Sequence, residues 1–599
     1  MNLEIEPQTV AEWLASSWST WAVTLGVLSA VVLCLGLLQM GLLYGLSKGA
    51  ERLVAGIIDV GSDIVCLSPR RVFALARLTV QESLRRQALA GVAIFVLILL
   101  FALWFLDAGS VDPARLYFSF VLTATTYLVL ALTAVLAALS LPADIRNRTI
   151  TTVVTKPVRP SEIVLGRILG LATIGTVLLA FMGASSYVFV VRALDHAHDI
   201  SPDSVAKLEA SPDVRGAGQR ARTSTAREHY HEVVERTDGT LATNVAQGHW
   251  HPVNVDQRDG RARYVVGDPL GQFHARVPIY GQLRFKDRHG SAARKGDKVG
   301  YEWAYRSYIE GGSLASAIWT FRGIRADDFP DGLRLEMNIR VFRTYTGEVE
   351  RGIAGTLVLR NPRNPSVASS PINFIAKEFT IDRHLIPRQL TDAAGKPIDL
   401  FKDLVDEGEL EIQLQCVPAR QFFGMAQADL YLMRREGSVA WNYIKTLAGI
   451  WLQMLMVASC GVMWSTFLNG AVALLATTGT MLIGFTHEFI LRIAEKRIYG
   501  GATFESIVRI LGHTGSTQPL DNSLEMQAAN TIDPVVRTVM HVVAKLVPNF
   551  EGLSNVPYLV DGFDVPLDRL LIQGISGLGF VLPVFLLGVV FFKFREVAQ

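Results

Sequence analysis

The chain has 599 residues, of which 50% are hydrophobic and only 19% are charged, whereas soluble domains carry about 25% charged residues. Its 57 basic and 55 acidic residues nearly cancel, which excludes a protein that binds polyanions through bulk positive charge. The four cysteines are too few and too scattered for a disulfide framework or a CxxC metal site. Because the apolar residues form continuous runs, the sequence predicts an integral membrane protein.

A helix needs about 20 apolar residues to cross the hydrocarbon layer of a membrane. The first long apolar run follows acidic residues and lacks a small-residue cleavage site, so we interpret it as a retained span and not as a signal peptide. The sequence predicts an α-helical polytopic protein with about seven transmembrane helices, near Trp21–Leu46, Ala88–Leu106, Leu116–Leu141, Ile163–Val191, Tyr443–Trp464, Phe467–Ile490 and Leu571–Phe592.

The orientation of these spans follows from the basic residues close to their ends, because such residues favour the cytoplasmic side. They cluster in Lys48–Arg86, in Arg146–Arg167 and at the C-terminal Lys593–Arg595. We therefore expect a multi-pass protein of the cell membrane with its N-terminus outside and its C-terminus in the cytoplasm. Three residues after the sixth span oppose this rule, namely Arg492, Lys496 and Arg497.

The spans and polar stretches divide the chain into six predicted parts. They are an extra N-terminal transmembrane helix with a linker (1–66), three further spans with their cytoplasmic segments (67–191), an extracytoplasmic insert (192–440), a transmembrane hairpin (441–492), an extracytoplasmic amphipathic segment (493–569) and a last span with its tail (570–599). In the amphipathic segment, apolar residues between Val535 and Leu546 recur at helical spacing. This helix is expected to rest on the membrane surface or to pack on the protein.

The insert of about 250 residues is domain-sized. Its first part, Pro202 to Asp238, is rich in charge and alanine and is predicted to be helical or partly mobile. Later segments alternate apolar and polar residues with period two, as half-buried strands do; these are Leu333–Phe342, Gly355–Arg360 and Leu410–Gln415. No repeat of fixed period is evident, and the insert is predicted to be a β-rich, sandwich-like or jelly-roll domain.

Nine of the 12 histidines lie in the insert, and six of them form His-x-His pairs. On a strand, residues two apart share a face and could ligate zinc or copper together. However, the first two pairs lie in segments that look helical, and all three are separated along the chain. We therefore expect polar surface or packing roles and no metal site for His196, His198, His229, His231, His249 and His251.

Several catalytic and nucleotide-binding motifs are absent from the sequence. It contains no G-x-x-x-x-G-K-[ST] phosphate loop and no H-E-x-x-H zinc helix. We expect no catalytic residue and no cofactor on this chain.

Two segments on the predicted cytoplasmic side are informative. Arg70–Arg86 mixes apolar residues with arginines directly before the second span, which indicates an interfacial amphipathic helix or a plain basic flank. A short helix between Pro142 and Pro157 would present Arg146 and Arg148, and Ser161 would cap the next helix.

These segments resemble the permease subunit of type-2 ABC transporters, an exporter class with six core spans per subunit. Ala76–Arg85 is similar to the elbow helix that precedes the family's first core span. Arg148–Arg167 is similar to its cytoplasmic coupling segment. Ser465-Thr466-Phe467 and the C-terminal Phe594-Arg595-Glu596 resemble its turn between the last hairpin helices and its usual end. The extra N-terminal span and the large insert depart from the family pattern.

The resemblance implies roles for particular residues. Coupling to the ATPase would involve Asp144, Arg146, Arg148, Thr149, Lys156 and Arg159. The elbow helix would include Arg70, Arg71, Phe73, Arg77, Glu82 and Arg85. Gly166 and Gly170 would allow close helix packing.

The resemblance also implies partners. These are a separate ABC ATPase subunit that carries ATP and magnesium, a second permease or a second copy of this chain, and the lipid bilayer, but no nucleic acid. Two alternatives remain: a membrane-anchored extracytoplasmic ligand-binding or scaffold protein, and a membrane enzyme with an extracytoplasmic active site.

Overall fold

The structure is a computed structural model, and it divides into two compact units. It describes residues 9–19, 21–22, 25–26, 29, 34, 37, 45–84, 89–106, 110, 112–146, 157–200, 221–235, 240–258, 261–299, 306–330, 332–344, 352–376, 381–434, 436–495, 503–513, 515 and 524–594. One unit, here the β unit, comprises His274–Asn442 and Gly562–Asp564. The other, here the helical unit, comprises the described parts of Gln8–Phe273, Tyr443–Asp561 and Val565–Gln599.

Long apolar helices dominate the helical unit. The described helices are α1 Leu46–Val65, α2 Pro69–Ser83, α3 Leu89–Phe105, α4 Pro113–Arg146, α5 Pro160–Leu194, α6 Val439–Phe467, α7 Gly470–Phe485, α8 His487–Ala494, α9 Thr503–Leu511, α10 Leu524–Leu546, α11 Val556–Val560 and α12 Leu567–Phe594. Both α4 and α5 begin with proline, which is favoured there because the first helical residue needs no N–H donor. Buried residues of α4, α5 and α6 form a shared core around Leu122, Leu179 and Ile450.

Among the described residues, four helices are long and apolar enough to cross a membrane: α4, α5, α6 and α12. A fifth candidate is the pair α7 and α8, which is bent by 60° at Thr486. The apolar helix α3 has 17 residues, and most of the predicted Trp21–Leu46 span lies outside the described residues. A membrane-embedded helical protein is therefore supported, with four to five of the seven predicted spans.

Two local expectations, one for the end of α4 and one for the start of α5, are wrong. Helix α4 continues through Pro142 and ends at Arg146, so no separate helix begins at that proline. The N-cap of α5 is Arg159 and not Ser161, because Pro160 fixes the first helical position and Glu162 accepts a hydrogen bond from the Arg159 backbone N–H at 3.0 Å. Residues 147–156 lie outside the described residues.

The β unit is built from antiparallel sheets, as the period-two alternation predicts. The strands of the described residues, of which β1–β4 lie in the helical unit, are β1 Val233–Glu235, β2 Leu241–Thr243, β3 Val253–Arg258, β4 Arg261–Val266, β5 Pro278–Tyr280, β6 Gln282–Lys286, β7 Ala292–Ala293, β8 Ser307–Glu310, β9 Ser316–Phe321, β10 Leu333–Met337, β11 Arg340–Arg343, β12 Ile353–Arg360, β13 Ile372–Ala376, β14 Asp382–Ile386, β15 Gln389–Thr391, β16 Pro397–Asp399, β17 Leu410–Cys416, β18 Gln421–Met425 and β19 Leu430–Met433.

Three sheets of the β unit share one hydrophobic core. Their strand orders are β13-β12-β17-β9-β6-β7, β14-β10-β19-β5 and β11-β18-β8. Trp319 of β9, Leu335 of β10 and Phe423 of β18 are nearly inaccessible to solvent and lie in this core. The predicted Leu333–Phe342 strand is divided between β10 and β11, which belong to different sheets.

The amphipathic helix predicted near Val535–Leu546 is part of α10. Its apolar stripe is largely exposed, since Val535, Val539 and Val542 have exposed fractions of 63%, 56% and 51%. An exposed apolar stripe fits a helix that rests on a membrane surface.

Candidate functional site

The start of α5 packs against α2 with almost no space between the two helices. A Cβ atom at Gly166 would lie 2.5 Å from the Leu75 Cβ, and one at Gly170 would lie 2.5 Å from the Thr79 Cβ and 2.7 Å from the Ala76 carbonyl oxygen. These distances are shorter than normal carbon contacts, so only glycine permits this approach.

Buried charges join the same helices. Arg167 is 6% exposed and forms ion pairs with Asp144 of α4 and, at 2.5 Å, with Glu82 of α2. Glu162 is fully buried and pairs with Arg71 at 2.9 Å. Because a buried charge is costly unless it is paired, these contacts fix the relative positions of α2, α4 and α5.

A further set of contacts ties α5 to α1 and α12. The Arg159 guanidinium donates to the Ser62 carbonyl oxygen at 2.8 Å and lies 3.7 Å from the Asp63 carboxylate. Lys593 of α12 binds the same Asp63 at 2.9 Å. We call these ion pairs the α5 ion-pair network; they are Arg71–Glu162, Arg159–Asp63, Arg167–Glu82, Arg167–Asp144 and Lys593–Asp63.

The predicted coupling and elbow residues therefore have different positions. Asp144 is 4% exposed, so it faces Arg167 and is not available to a partner protein. Arg146, at the end of α4, is exposed. On α2 the exposed elbow residues are Arg70, Phe73 and Arg77, whereas Arg71 and Glu82 join the network. The remaining predicted residues, namely Arg85, Arg148, Thr149 and Lys156, lie outside the described residues.

At the other end of α5, the structure brings the six paired histidines together; we call them the hexahistidine cluster. The expectation that they lie apart and partly on helices is wrong. His196 and His198 follow the last residue of α5, Leu194, without helical structure. The other pairs lie on two β-hairpins within 221–235 and 241–253. The first-position histidines are His196, His229 and His249, and the second-position histidines are His198, His231 and His251.

The two hairpins are built from the same local pattern. The turn residues Arg227-Glu228 and Gln247-Gly248 all have positive φ, as tight hairpin turns require. Thr223 and Thr243 occupy equivalent positions, and their hydroxyl oxygens accept hydrogen bonds from the backbone N–H of His231 and His251 at 2.9 and 2.8 Å. The shared pattern is T-x-x-A-x-x-H-x-H, repeated after 20 residues. The sequence analysis found no repeat and missed this one, which places two of the His-x-His pairs at equivalent positions of two similar segments and so indicates the cluster.

Every ring in the cluster is oriented by a backbone carbonyl group. Each Nδ1 lies 2.7–3.4 Å from a carbonyl oxygen, that of Leu194, Ser224, Arg227, Asn244, Gln247 or Gly267. Each first-position ring is hydrogen-bonded to the carbonyl group two residues before it in the chain. Each second-position ring is hydrogen-bonded to a carbonyl group further along the chain, that of Ser224, Asn244 or Gly267. Carbonyl partners at Nδ1 are typical of metal-ligating histidines, because they fix the tautomer and direct Nε2 at the ligand.

The Nε2 atoms converge on one buried point. In four neighbouring pairs, which join His196, His198, His229, His231 and His249, these atoms lie 3.0–3.3 Å apart. The ligand atoms of His196, His198, His229, His231 and His249 all lie within 4.8 Å of one another. His231 and His251 are fully buried, and the His251 Nε2 has no hydrogen-bond partner among the described residues.

This environment disfavours the charged form of five of the six rings. Burial, followed by the repulsion of the neighbouring histidines, lowers the pKa of His249 to about 3 and that of His231 to about 4. It also lowers the pKa values of His196, His229 and His251. Neutral imidazole is the form that ligates metals.

Comparisons of the chain with protein-family models, with curated proteins and with solved structures found no match.

Proposed function

We propose that the chain is the membrane-spanning permease subunit of an ABC exporter, which couples ATP hydrolysis on a separate subunit to substrate translocation. The resemblance of the elbow and coupling segments to type-2 permeases supports this proposal. The observation that carries it is the anchoring of both ends of the connection 147–156 between α4 and α5.

The anchoring has a mechanical consequence. The chain enters the connection after Asp144, which is paired with Arg167, and leaves it at Pro157, whose carbonyl oxygen accepts a hydrogen bond from Arg71. Arg159 then binds Ser62 and Asp63 of α1. A displacement of residues 147–156 would therefore move α1, α2, α4 and α5 together, because packed elements that are joined by buried ion pairs shift as units. A transporter subunit that lacks its own ATPase needs a contact of this kind to receive the movement of a separate ATPase subunit.

The proposal includes an orientation and partners. The α5 ion-pair network would face the cytoplasm, with the C-terminus, and the N-terminus would lie outside. Since α5 has 35 residues and rises about 1.5 Å per residue, its two ends are about 52 Å apart, more than a bilayer core of about 30 Å. The hexahistidine cluster and the β unit would then be extracytoplasmic. The partners would be an ABC ATPase, a second permease and lipid, with ATP and magnesium bound only by the ATPase.

The test is the double variant Arg146→Glu/Arg148→Glu, made in the native host. We expect it to insert into the membrane as the parent does but to lose the ATPase subunit on purification in detergent. Interface anchors of this kind commonly cost about 2 kcal/mol or more each when lost. The measurement is co-purifying ATP hydrolysis, with mass-spectrometric identification of a subunit that carries the phosphate loop absent from this chain.

The matched control is Lys396→Glu/Lys402→Glu, which makes the same charge change at two exposed positions of the β unit and should retain the ATPase. A parent protein that purifies without any ATPase would favour the ligand-binding or scaffold alternative. Retention of the ATPase by the Arg146/Arg148 variant would show that this connection is not the coupling element.

A further inference from the structure

The six rings of the hexahistidine cluster are arranged as an octahedron. Each ring faces four others, with centroid separations of 4.8–5.3 Å and interplanar angles of 74–87°. The fifth ring in each case lies across the centre, and the opposite pairs are His196/His231, His198/His249 and His229/His251. Six points related in this way are the vertices of an octahedron.

The size of this octahedron fits one transition-metal ion. The Nε2 atoms of four neighbouring pairs are separated by 3.0–3.3 Å. The distance from an octahedron's centre to a vertex is its edge divided by √2, here about 2.1–2.3 Å, and metal–imidazole nitrogen bonds are about 2.0–2.1 Å. An ion at the centre would therefore reach the nitrogens of these five rings, and the ring of His251, whose centroid lies 5.0–5.3 Å from those of four of them, would supply the sixth.

The tautomers of the rings indicate that a cation is needed at this point. A carbonyl oxygen can only accept a hydrogen bond, so each neutral ring that bonds one through Nδ1 carries its proton there. The Nε2 atoms of such rings are then unprotonated, and in four neighbouring pairs, which join five of the rings, their lone pairs face each other at 3.0–3.3 Å with no proton to bridge them. A central cation turns this repulsion into coordination.

The donor set and geometry narrow the choice of ion. Magnesium and calcium prefer oxygen ligands, zinc in structural sites is almost always tetrahedral, and copper(II) favours tetragonal sites. Six imidazoles in an octahedron suit iron(II), cobalt(II) and nickel(II), whose affinities rise in that order. We propose that the hexahistidine cluster binds one divalent ion of this group in a closed octahedral site that fastens the two β-hairpins to the end of α5.

The closed site has a structural role. All six positions of the ion are filled by protein, so no position remains for a reacting water, as in structural sites generally. The hairpins have only a small apolar core of their own, made by Ala221, Val233 and Val253 with a few partly buried neighbours. Metal binding supplies folding free energy where the apolar core is small.

The experiment uses the full-length protein in detergent, purified with a tag that contains no histidine and stripped with a chelator. Nickel(II) and cobalt(II) are titrated in separately by calorimetry, and the bound metal is counted after gel filtration by mass spectrometry. We expect one ion per chain and the weak visible absorption of octahedral cobalt(II). His249→Ala/His251→Ala should lower the affinity at least 100-fold, whereas His289→Ala/His513→Ala, at two exposed histidines outside the cluster, should leave it unchanged.

Metal titration of the parent protein tests the proposal even if a histidine variant fails to fold. Less than one equivalent of either metal bound by the parent protein would overturn it, as would the intense absorption of tetrahedral cobalt(II). Equal binding by the parent and the His249/His251 variant would also overturn it, because the ion would then be held elsewhere. The milder variant His251→Gln, which removes one ligand and keeps a polar side chain, should weaken binding measurably.

Discussion

The close contact between α2 and α5 predicts that one glycine-to-alanine change will destabilise the protein while a second, chemically identical change will stabilise it. Gly170 faces Thr79 and the Ala76 carbonyl oxygen, and a Cβ there would meet the latter at 2.7 Å. Gly574 of α12 has open space, with nothing within 4 Å of a Cβ. Both lie inside helices, so Gly574 is the matched control.

The magnitudes follow from two opposing effects. Alanine in place of glycine in a helix interior gains about 1 kcal/mol, and this gain applies at both positions. Overpacking a close contact costs about 1–3 kcal/mol, and this cost applies only at Gly170, where a carbonyl oxygen cannot move aside as a flexible side chain would. Gly170→Ala should therefore lose about 0–2 kcal/mol of stability, and Gly574→Ala should gain about 1 kcal/mol.

The assay is thermal or denaturant unfolding of both variants in the same detergent, followed by tryptophan fluorescence and by size-exclusion chromatography. A midpoint for Gly170→Ala clearly below that of Gly574→Ala is expected. If Gly170→Ala is as stable as Gly574→Ala, α2 does not pack against α5 as closely as the structure indicates.

Three further predictions concern the two sites. Arg167→Ala should destabilise the protein by about 3–5 kcal/mol, because it removes the ion-pair partner of the buried Asp144 carboxylate; adding Asp144→Asn should recover part of this loss in a double-mutant cycle, and purely additive effects would refute the pairing. Removing metal with a chelator should make residues 221–258 sensitive to limited proteolysis while the β unit remains resistant; an unchanged cleavage pattern would mean that the hairpins fold without an ion. Gly248→Ala should weaken metal binding by about 5- to 30-fold, since a left-handed residue other than glycine costs about 1–2 kcal/mol; Gly395→Ala, with a similar positive φ in the β unit, should not affect binding.

The sequence predicted those features that depend on local pattern. Continuous apolar runs predicted α4, α5, α6 and α12, and period-two alternation predicted the strands around Leu357 and Ile412, because both patterns reflect burial on a repeating geometry. Basic residues mixed with apolar ones predicted the amphipathic helix α2. These predictions need no knowledge of which elements meet.

The features that were missed depend on contacts between distant parts of the chain. The ion pairs of Glu162 and Asp63 join α5 to α1 and α2, and no local spacing indicates them. The first two histidine pairs were expected in helical segments because the surrounding residues are rich in charge and alanine. The positive-φ turns at Arg227-Glu228 and Gln247-Gly248 instead fold those segments into hairpins, and the match at 20-residue spacing between Thr223–His231 and Thr243–His251 was the available sign.

The coordination of an added metal ion tests the proposed site in the hexahistidine cluster most directly. X-ray absorption spectroscopy of the nickel(II)-loaded full-length protein should show six nitrogen ligands at a single distance close to the metal–imidazole bond length of about 2.0–2.1 Å, together with the scattering pattern of imidazole rings. Four nitrogen ligands, or a shell that includes several water oxygens, would contradict the octahedral site.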